Sequence, residues 1–137
     1  MAGRPPEWQG GPVGPTITRI QHISLTVRDP EASVTWYERA FGWQQVPVPF
    51  RHYEQEETGH GILLVGPGAG IELHTNTASG GEVFDESGTG LDHVPFEVAD
   101  RAALEVWTAH LDRVEVAHTG IRDVAEPLPF STVSDRE

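Results

Sequence analysis

The sequence predicts an α+β fold built from two copies of one strand-and-helix unit. Residues 21–36 are repeated without a gap by residues 92–107, so that His22 corresponds to His93 at an offset of 71 positions. The same offset aligns Val27 with Val98, Asp29 with Asp100, Ala32 with Ala103 and Trp36 with Trp107. A repeat at a fixed offset indicates a duplicated structural unit. We therefore expect two modules with one topology.

Each copy begins with the alternation that is typical of a strand. The alternating apolar residues are Ile23, Leu25 and Val27 in the first copy and Val94, Phe96 and Val98 in the second. A period of two packs one face of a strand and turns the other face away. His22 and His93 occupy equivalent places on the face that we expect to be turned away from the helix.

A helix is predicted to follow each strand. Asp29 and Asp100 are placed as N-caps, where a carboxylate accepts a hydrogen bond from an N–H group of the first turn. Pro30 suits the first helical position. Residues at helical spacing then form the stripe that should pack on the sheet: Ser33, Trp36, Tyr37, Ala40 and Phe41, and in the second copy Ala103, Leu104, Trp107 and Leu111. We expect Trp36 and Trp107 to be packing residues.

Three further strands complete the first module, which spans about residues 17–76. Residues 43–50 are predicted as a strand that its two prolines confine to a sheet edge or a bulge. Residues 61–65 and 69–75, separated by a Gly-Pro-Gly turn, are predicted as a hairpin. The first module is therefore predicted to be β-α-β-β-β.

The second module is predicted to be shorter than the first. A Gly-, Ser- and Thr-rich linker covers residues 77–90, and the second module follows from 91 to 137. After its helix, which should end near Arg113, we expect strands near 114–118 and 128–133. The position equivalent to Glu72 would lie near 143, so the last strand of this module is expected to be missing.

Composition restricts the classes of function. With 137 residues, one domain is expected over 17–137, preceded by a disordered Pro- and Gly-rich tail over 1–16. A net charge of −12 without a basic stripe argues against a nucleic-acid partner. No stretch approaches the ~20 apolar residues that span a bilayer. The absence of cysteine excludes disulfides, thiolate ligands and thiol nucleophiles, and it fits a cytoplasmic protein.

The repeat also suggests a metal site. If a pseudo-twofold axis relates the two modules, their helix-averted faces can bring His22 and His93 together. Glu72 lies between two apolar residues of a predicted strand, so it either faces solvent or pairs with a cation. Alternatively, His22, Glu72 and His93 are ordinary strand residues that bind no metal. His74 shares the face of Glu72 and could replace it, whereas four other histidines are expected to be structural or solvated: His52, His60, His110 and His118.

These motifs resemble the vicinal oxygen chelate superfamily, which includes glyoxalase I, extradiol dioxygenases, fosfomycin-resistance proteins and bleomycin-resistance proteins. The resemblance extends from about Ile17 to Val133 and is carried by residues 20–30, Trp36-Tyr37, Phe41-Gly42, 70–73 and 91–98. It implies two tandem βαβββ modules that form a cupped, barrel-like mixed sheet with the helices outside. It also implies a divalent metal and a homodimer.

The resemblance further implies that His22, Glu72 and His93 are metal ligands, at the positions used in glyoxalase I. Extradiol dioxygenases and fosfomycin-resistance proteins usually combine the two histidines with a Glu in the final strand, for which this sequence has no match. Glu72 is thus the one carboxylate carried over and the candidate for proton transfer. Imidazole and carboxylate ligands suit Zn, Fe(II), Mn, Co or Ni, and the sequence does not choose among them.

The favoured function is a metal-dependent lyase, isomerase or dioxygenase that binds vicinal oxygens of a small-molecule substrate. Two alternatives stay open. One is a metal-free antibiotic-binding protein of the bleomycin-resistance type, and the other is an inactive truncated relative with an exposed sheet edge. A tightly bound stoichiometric metal would distinguish the first function from the other two.

Overall fold

The computed structural model describes residues 14–15, 17–47, 50–51, 58–125 and 130–135. The chain divides into two compact units, Pro15–Gly88 and Thr89–Glu137, and the boundary falls within the predicted linker. Most of the predicted tail, residues 1–16, lies outside the described residues. Within the described ranges, none of the helices combines the length and the apolar character that crossing a membrane requires.

The first unit has the predicted β-α-β-β-β order. Its elements are β1 (Ile23–Thr26), α1 (Pro30–Phe41), the short β2 (Gln44–Gln45) and β3 (Phe50–Arg51), β4 (His60–Gly66) and β5 (Ala69–His74). The sheet order is β1-β5-β4-β2, and β3 also pairs with β4. β1 runs parallel to β5, whereas every other pairing is antiparallel. The predicted mixed sheet and the β4–β5 hairpin are confirmed for this unit.

The strand predicted over residues 43–50 is interrupted. Gln45 pairs with Leu64 but Phe50 pairs with Gly61, so the register along β4 shifts by two residues between β2 and β3. Pro47 lies in this interval and has no N–H to donate to the ladder, which favours a bulge. β2 also lies at the end of the strand order. The structure therefore confirms the edge position, and it contains two short strands where one was predicted.

Helix α1 begins and ends as its sequence signals predict. Asp29 Oδ1 accepts a hydrogen bond from the Ala32 N–H at 3.0 Å, and Pro30 is the first helical residue. At the other end Gly42 has a φ of 68°, and its N–H donates to the carbonyl of Glu38 at 2.9 Å. Glycine adopts this left-handed conformation at little cost, which makes it a good helix terminator.

One face of the sheet packs against α1 and forms the core of the first unit. The buried residues are Val34, Trp43, Ile62, Leu64, Ile71 and Leu73, with Leu25, Val27, Tyr37, Phe41 and Ala69 partly buried against them. Burying one such large aliphatic side chain contributes about 1.5–3 kcal/mol. Because strand side chains alternate, the residues between these core positions point to the opposite face. That face carries Ser24, Glu72 and His74.

The second unit contains α2 (Arg101–Arg113) and the antiparallel hairpin of β6 (Arg122–Val124) and β7 (Phe130–Thr132). Asp100 Oδ1 accepts from the Ala103 N–H at 2.8 Å, as Asp29 does in the first unit. The two predicted N-caps are therefore confirmed. Strand β7 confirms part of the strand predicted at 128–133, whose first two residues lie outside the described ranges. Strand β6 was not predicted.

The strand predicted over residues 93–98 is wrong. These residues, all of them described, have no regular secondary structure, and Phe96 is 42% exposed. In the first unit β1 is held by its parallel pairing with β5. Pro95 has no N–H to donate to a neighbouring strand. None of the described strands pairs with residues 93–98, and an alternating pattern without a paired neighbour does not form a strand.

The strand predicted near 114–118 is also wrong. The chain folds back onto α2 at this point, where the Val116 N–H donates to the carbonyl of Leu111 at 2.9 Å. Glu115 has a φ of 57°, a left-handed conformation that is incompatible with an extended strand. His118 then donates from Nε2 to Asp112 Oδ1 at 2.9 Å. These bonds to the helix and its end replace the expected strand.

Candidate metal site

The candidate site of the first unit lies on the sheet face that is turned away from α1. The parallel β1–β5 register places Ser24 beside Glu72 and Thr26 beside His74. His22 precedes β1 and is separated from Ser24 by one residue, which is the spacing of one strand face. On the other side of β5, Gly61 of β4 is the register partner of His74. Strand pairing thus assembles polar side chains from distant parts of the sequence.

Three side chains converge on one carboxylate oxygen of Glu72. Oε2 accepts a hydrogen bond from Ser24 Oγ at 2.6 Å and one from His74 Nε2 at 3.0 Å. The Nε2 atom of His22 lies 3.4 Å from the same oxygen. The exposed side-chain fraction rises from 9% at His74 through 19% at Glu72 to 37% at His22. The cluster is therefore most accessible at His22.

Hydrogen bonding indicates different tautomers for the two histidines. A carboxylate only accepts hydrogen bonds, so His74 carries its proton on Nε2 in order to donate to Glu72. His22 Nδ1 lies 3.1 Å from Gln21 Oε1, an acceptor for a protonated Nδ1. In that neutral tautomer His22 presents a lone pair from Nε2 toward Glu72. Two acceptors at 3.4 Å repel each other, and either a second proton on His22 or a bound cation removes this repulsion.

The His22–Glu72 pair has the chemistry and spacing of two ligands of a divalent metal. Two bonds of about 2.1 Å at the tetrahedral angle separate their ligand atoms by roughly 3.4 Å. The observed Nε2–Oε2 distance is 3.4 Å. In the described part of the chain, no group of three or more His, Cys, Asp or Glu side chains is arranged to hold a metal ion. Among the described residues, the spacing therefore fits a metal ion at His22 and Glu72 and not at a group of three side chains.

The third candidate ligand, His93, lies in the second unit. Its side chain is 74% exposed, and its Nδ1 lies 2.7 Å from Asp92 Oδ1. A proton on Nδ1 again leaves the lone pair on Nε2, so both copies of the repeat use the preceding residue to favour the same tautomer. A hydrogen bond from the remote nitrogen orients most metal-binding histidines in proteins. The proposed role of His93 stays a prediction.

Glu72 has a perturbed acidity. Its partial burial raises the pKa of the carboxyl group, but the hydrogen bonds from Ser24 and His74 and the nearby charge of His22 and His74 together outweigh this effect. The net result is a pKa below the ordinary value of 4.5. Glu72 is therefore anionic at neutral pH, which is the form that binds a cation.

The structure gives the other described histidines local partners. His60 Nδ1 lies 3.4 Å from the Thr75 hydroxyl, and His110 Nδ1 lies 2.9 Å from an Arg113 nitrogen. His118 bridges Asp112 and the Gly120 N–H. These contacts agree with the structural roles expected from the sequence, and His52 lies outside the described residues.

Sequence reasoning missed Ser24 as a member of this cluster. The sequence pattern predicts His22 and Glu72 and offers His74 as a substitute for Glu72. The spacing between His22 and Ser24 was visible as strand alternation, but the position of Ser24 beside Glu72 depends on the parallel β1–β5 register. The structure also changes the role of His74, because its proton points to Glu72.

The mixed sheet of the first unit and the Asp-capped helix in each unit define a glyoxalase-like α+β fold. The family described as the Glyoxalase/Bleomycin resistance protein/Dioxygenase superfamily matches residues 19–123. This match covers most of the sequence, and the chain belongs to that superfamily. A comparison with curated proteins gives no match.

Solved structures agree with this assignment. A glyoxylase/bleomycin resistance protein/dioxygenase domain from Frankia sp. EAN1pec is 28% identical, with a TM-score of 0.67 over 89% of this chain and 95% of that one. The fosfomycin resistance protein FosX from Listeria monocytogenes is 15% identical, with a TM-score of 0.53 over 78% and 73% of the respective chains. Another FosX structure from that organism, complexed with Mn(II) and sulfate, is 12% identical, with a TM-score of 0.51 over 87% and 93%. The FosX structures support the fold.

Proposed function

We propose that this protein is a divalent-metal-dependent enzyme of the glyoxalase or dioxygenase type, which acts on a small molecule through two adjacent oxygen atoms. The observation that carries the proposal is the 3.4 Å distance between His22 Nε2 and Glu72 Oε2, which is the separation of two ligand atoms on one metal ion. A metal ion bound between these atoms would accept a lone pair from each of them. The Mn(II) in a FosX structure of similar fold adds support.

His22, Glu72 and His93 are the proposed ligands. Two neutral imidazoles and one carboxylate suit Mn, Fe(II), Co, Ni or Zn. When bound, such a metal supplies a Lewis acid that polarises substrate oxygens. Gln21 and Asp92 favour the ligand tautomers of the two histidines.

Glu72 is also the proposed acid–base residue. Ser24 and His74 donate to Oε2, so Oε1 is the carboxylate oxygen that is proposed to exchange a proton with the substrate. The low pKa of Glu72 makes its carboxylate a weak base. Proton removal therefore requires a substrate whose oxygens are polarised, and a metal held by the proposed ligands would supply that polarisation to two adjacent substrate oxygens.

The experiment that tests this function is turnover by metal-stripped protein before and after metal is restored. Mn(II), Fe(II), Co(II), Ni(II) and Zn(II) are added separately, and the substrates are a thiol conjugate of an α-ketoaldehyde, a catechol under air and fosfomycin. We expect turnover of one substrate class that depends on metal and is lost in His22→Ala, Glu72→Gln and His93→Ala. His60→Ala is the matched control, because it removes an exposed histidine of β4.

Two results would contradict the enzyme proposal. One is wild-type protein that takes up no metal but binds one of these compounds, which would instead favour a sequestering protein. The other is full turnover by His22→Ala or Glu72→Gln. The proposal also includes a homodimer, as the superfamily resemblance implies, and sedimentation equilibrium of the whole chain tests that state.

A further inference from the structure

We infer that Ser24 and His74 are positioning residues that hold the Glu72 carboxylate beside His22, an inference that rests on the proposed function. Both side chains donate to Oε2, Ser24 at 2.6 Å and His74 at 3.0 Å. They approach from two different strands, since Ser24 belongs to β1 and His74 to β5. The carboxylate is thus held from two directions.

The backbone makes this arrangement rigid. Ser24 and Glu72 are register partners in the parallel ladder, and His74 follows Glu72 at the next position on the same face. The ladder continues beyond β1, where the Val27 N–H donates to the carbonyl of His74 at 2.8 Å. The register partner of His74 on β4 is Gly61, which has no side chain to compete with the imidazole. The donors are therefore placed by the sheet.

The chemistry of the two donors separates them from the ligands. The His74 proton lies on Nε2, toward Glu72, so that nitrogen has no lone pair for a metal. Ser24 has a neutral hydroxyl whose short bond to the carboxylate is charge-assisted. By contrast, His22 presents its Nε2 lone pair in the tautomer that Gln21 favours. Ser24 and His74 consequently act through Glu72.

Fixing a carboxylate in advance strengthens metal binding. An unrestrained glutamate side chain loses rotamer freedom when it becomes a ligand, and this loss weakens binding. Partners that hydrogen-bond to a ligand typically change metal affinity by about 10–100-fold. The His74–Glu72 bond is partly buried, so water replaces the His74 donor incompletely, whereas the Ser24–Glu72 bond is exposed. Removing either donor should therefore weaken metal binding within this range.

The test compares variants that remove a donor with variants that keep one. Whole-chain protein stripped of metal is titrated with Mn(II), and the dissociation constant is measured by electron paramagnetic resonance of unbound Mn(II). Ser24→Ala and His74→Leu should bind Mn(II) about 10–100-fold more weakly. Ser24→Thr keeps the hydroxyl and His74→Gln keeps an N–H donor, so both should stay close to wild type. Thr35→Ala is the control, because it removes an exposed hydroxyl from helix α1, which packs on the opposite face of the sheet.

A second measurement separates this inference from the proposed function. In metal-free buffer, the melting temperatures of Ser24→Ala, Glu72→Leu and the double variant form a thermodynamic cycle, as do those of His74→Leu, Glu72→Leu and their double variant. We expect non-additive losses in both cycles, because each pair shares a hydrogen bond. Wild type that binds no Mn(II) but shows both couplings would refute the function and keep the positioning role. Additive losses, or Ser24→Ala and His74→Leu that bind Mn(II) as wild type does, would overturn the inference.

Discussion

Replacing Gly66 by Ala should destabilise the first unit through a collision with Trp43. A Cβ atom added at Gly66 would overlap Cδ1 and Nε1 of the indole ring, closer than real Cβ atoms approach other heavy atoms. Gly66 is not among the glycines with a positive φ, so the expected effect is steric and not conformational.

The magnitude depends on whether Trp43 can turn aside. Its side chain is buried, at 6% exposure, and its ring stacks on Phe41 at 4.9 Å and on Tyr37 at 5.9 Å between ring centroids. Overpacking of a core typically costs about 1–3 kcal/mol, and this confinement places Gly66→Ala in the upper half of that range. The corresponding fall in melting temperature is roughly 5–12 °C for a domain of this size.

Gly70→Ala is the matched control in the same hairpin. A Cβ there would meet the Leu64 carbonyl oxygen at 3.5 Å and a Val65 methyl group at 3.9 Å, both ordinary contacts. Its free energy of unfolding should stay within about 1 kcal/mol of wild type. Urea unfolding followed by far-ultraviolet circular dichroism measures both variants. Equal stability of Gly66→Ala and Gly70→Ala would refute the steric argument. The same would follow if Gly66→Ala lowered the free energy of unfolding of a Trp43→Leu variant as much as that of wild type.

Three further predictions concern the caps, the second unit and the histidine orientation. Asp29→Ala and Asp100→Ala should each lower the free energy of unfolding by about 0.5–2 kcal/mol, whereas Asn at either position should keep most of the wild-type stability. Equal losses for Ala and Asn in urea titrations would contradict the capping role. Hydrogen bonds from Ser131 and Arg101 lower the pKa of Asp123 below 3.8, so its stabilising effect is present above that value and is lost as the pH falls through its lower folded pKa. Carboxyl carbon NMR titration of wild type and Ser131→Ala measures this, and an unchanged Asp123 pKa would contradict it. Asp92→Ala should weaken Mn(II) binding by about 10-fold or more, because the Nδ1-protonated tautomer of His93 is then no longer favoured. Asp92→Asn keeps an acceptor and should keep most of the affinity. Equal Mn(II) affinities of the two variants would contradict the proposed role of Asp92.

The local elements of the first unit could be predicted because their causes are local. Asp29, Pro30 and Gly42 determine the ends of α1 through hydrogen bonding and backbone conformation that depend on a few neighbours. The β4–β5 hairpin follows from its turn, and Pro47 marks the interrupted edge strand. Strand order was not predictable in the same way, since it depends on which distant segments pair.

The errors in the second unit have the same origin. The alternation of Val94, Phe96 and Val98 equals that of β1, but a strand forms only where another strand accepts and donates its backbone hydrogen bonds. For the site, residue type selected His22 and Glu72. The proposed roles of Ser24 and His74 could be inferred only from distances, because they depend on the hydrogen bonds of both side chains to the Glu72 carboxylate.

The central claim is that His22 and Glu72 form part of a metal site, and elemental analysis of the purified chain tests it most directly. Wild type, His22→Ala, Glu72→Gln and the control His60→Ala are reconstituted with Mn(II) or Zn(II) and passed into metal-free buffer. The account predicts a stoichiometric amount of metal in wild type and His60→Ala and its loss from the other two variants. Metal-free wild type, or retention of stoichiometric metal by His22→Ala and Glu72→Gln, would contradict it.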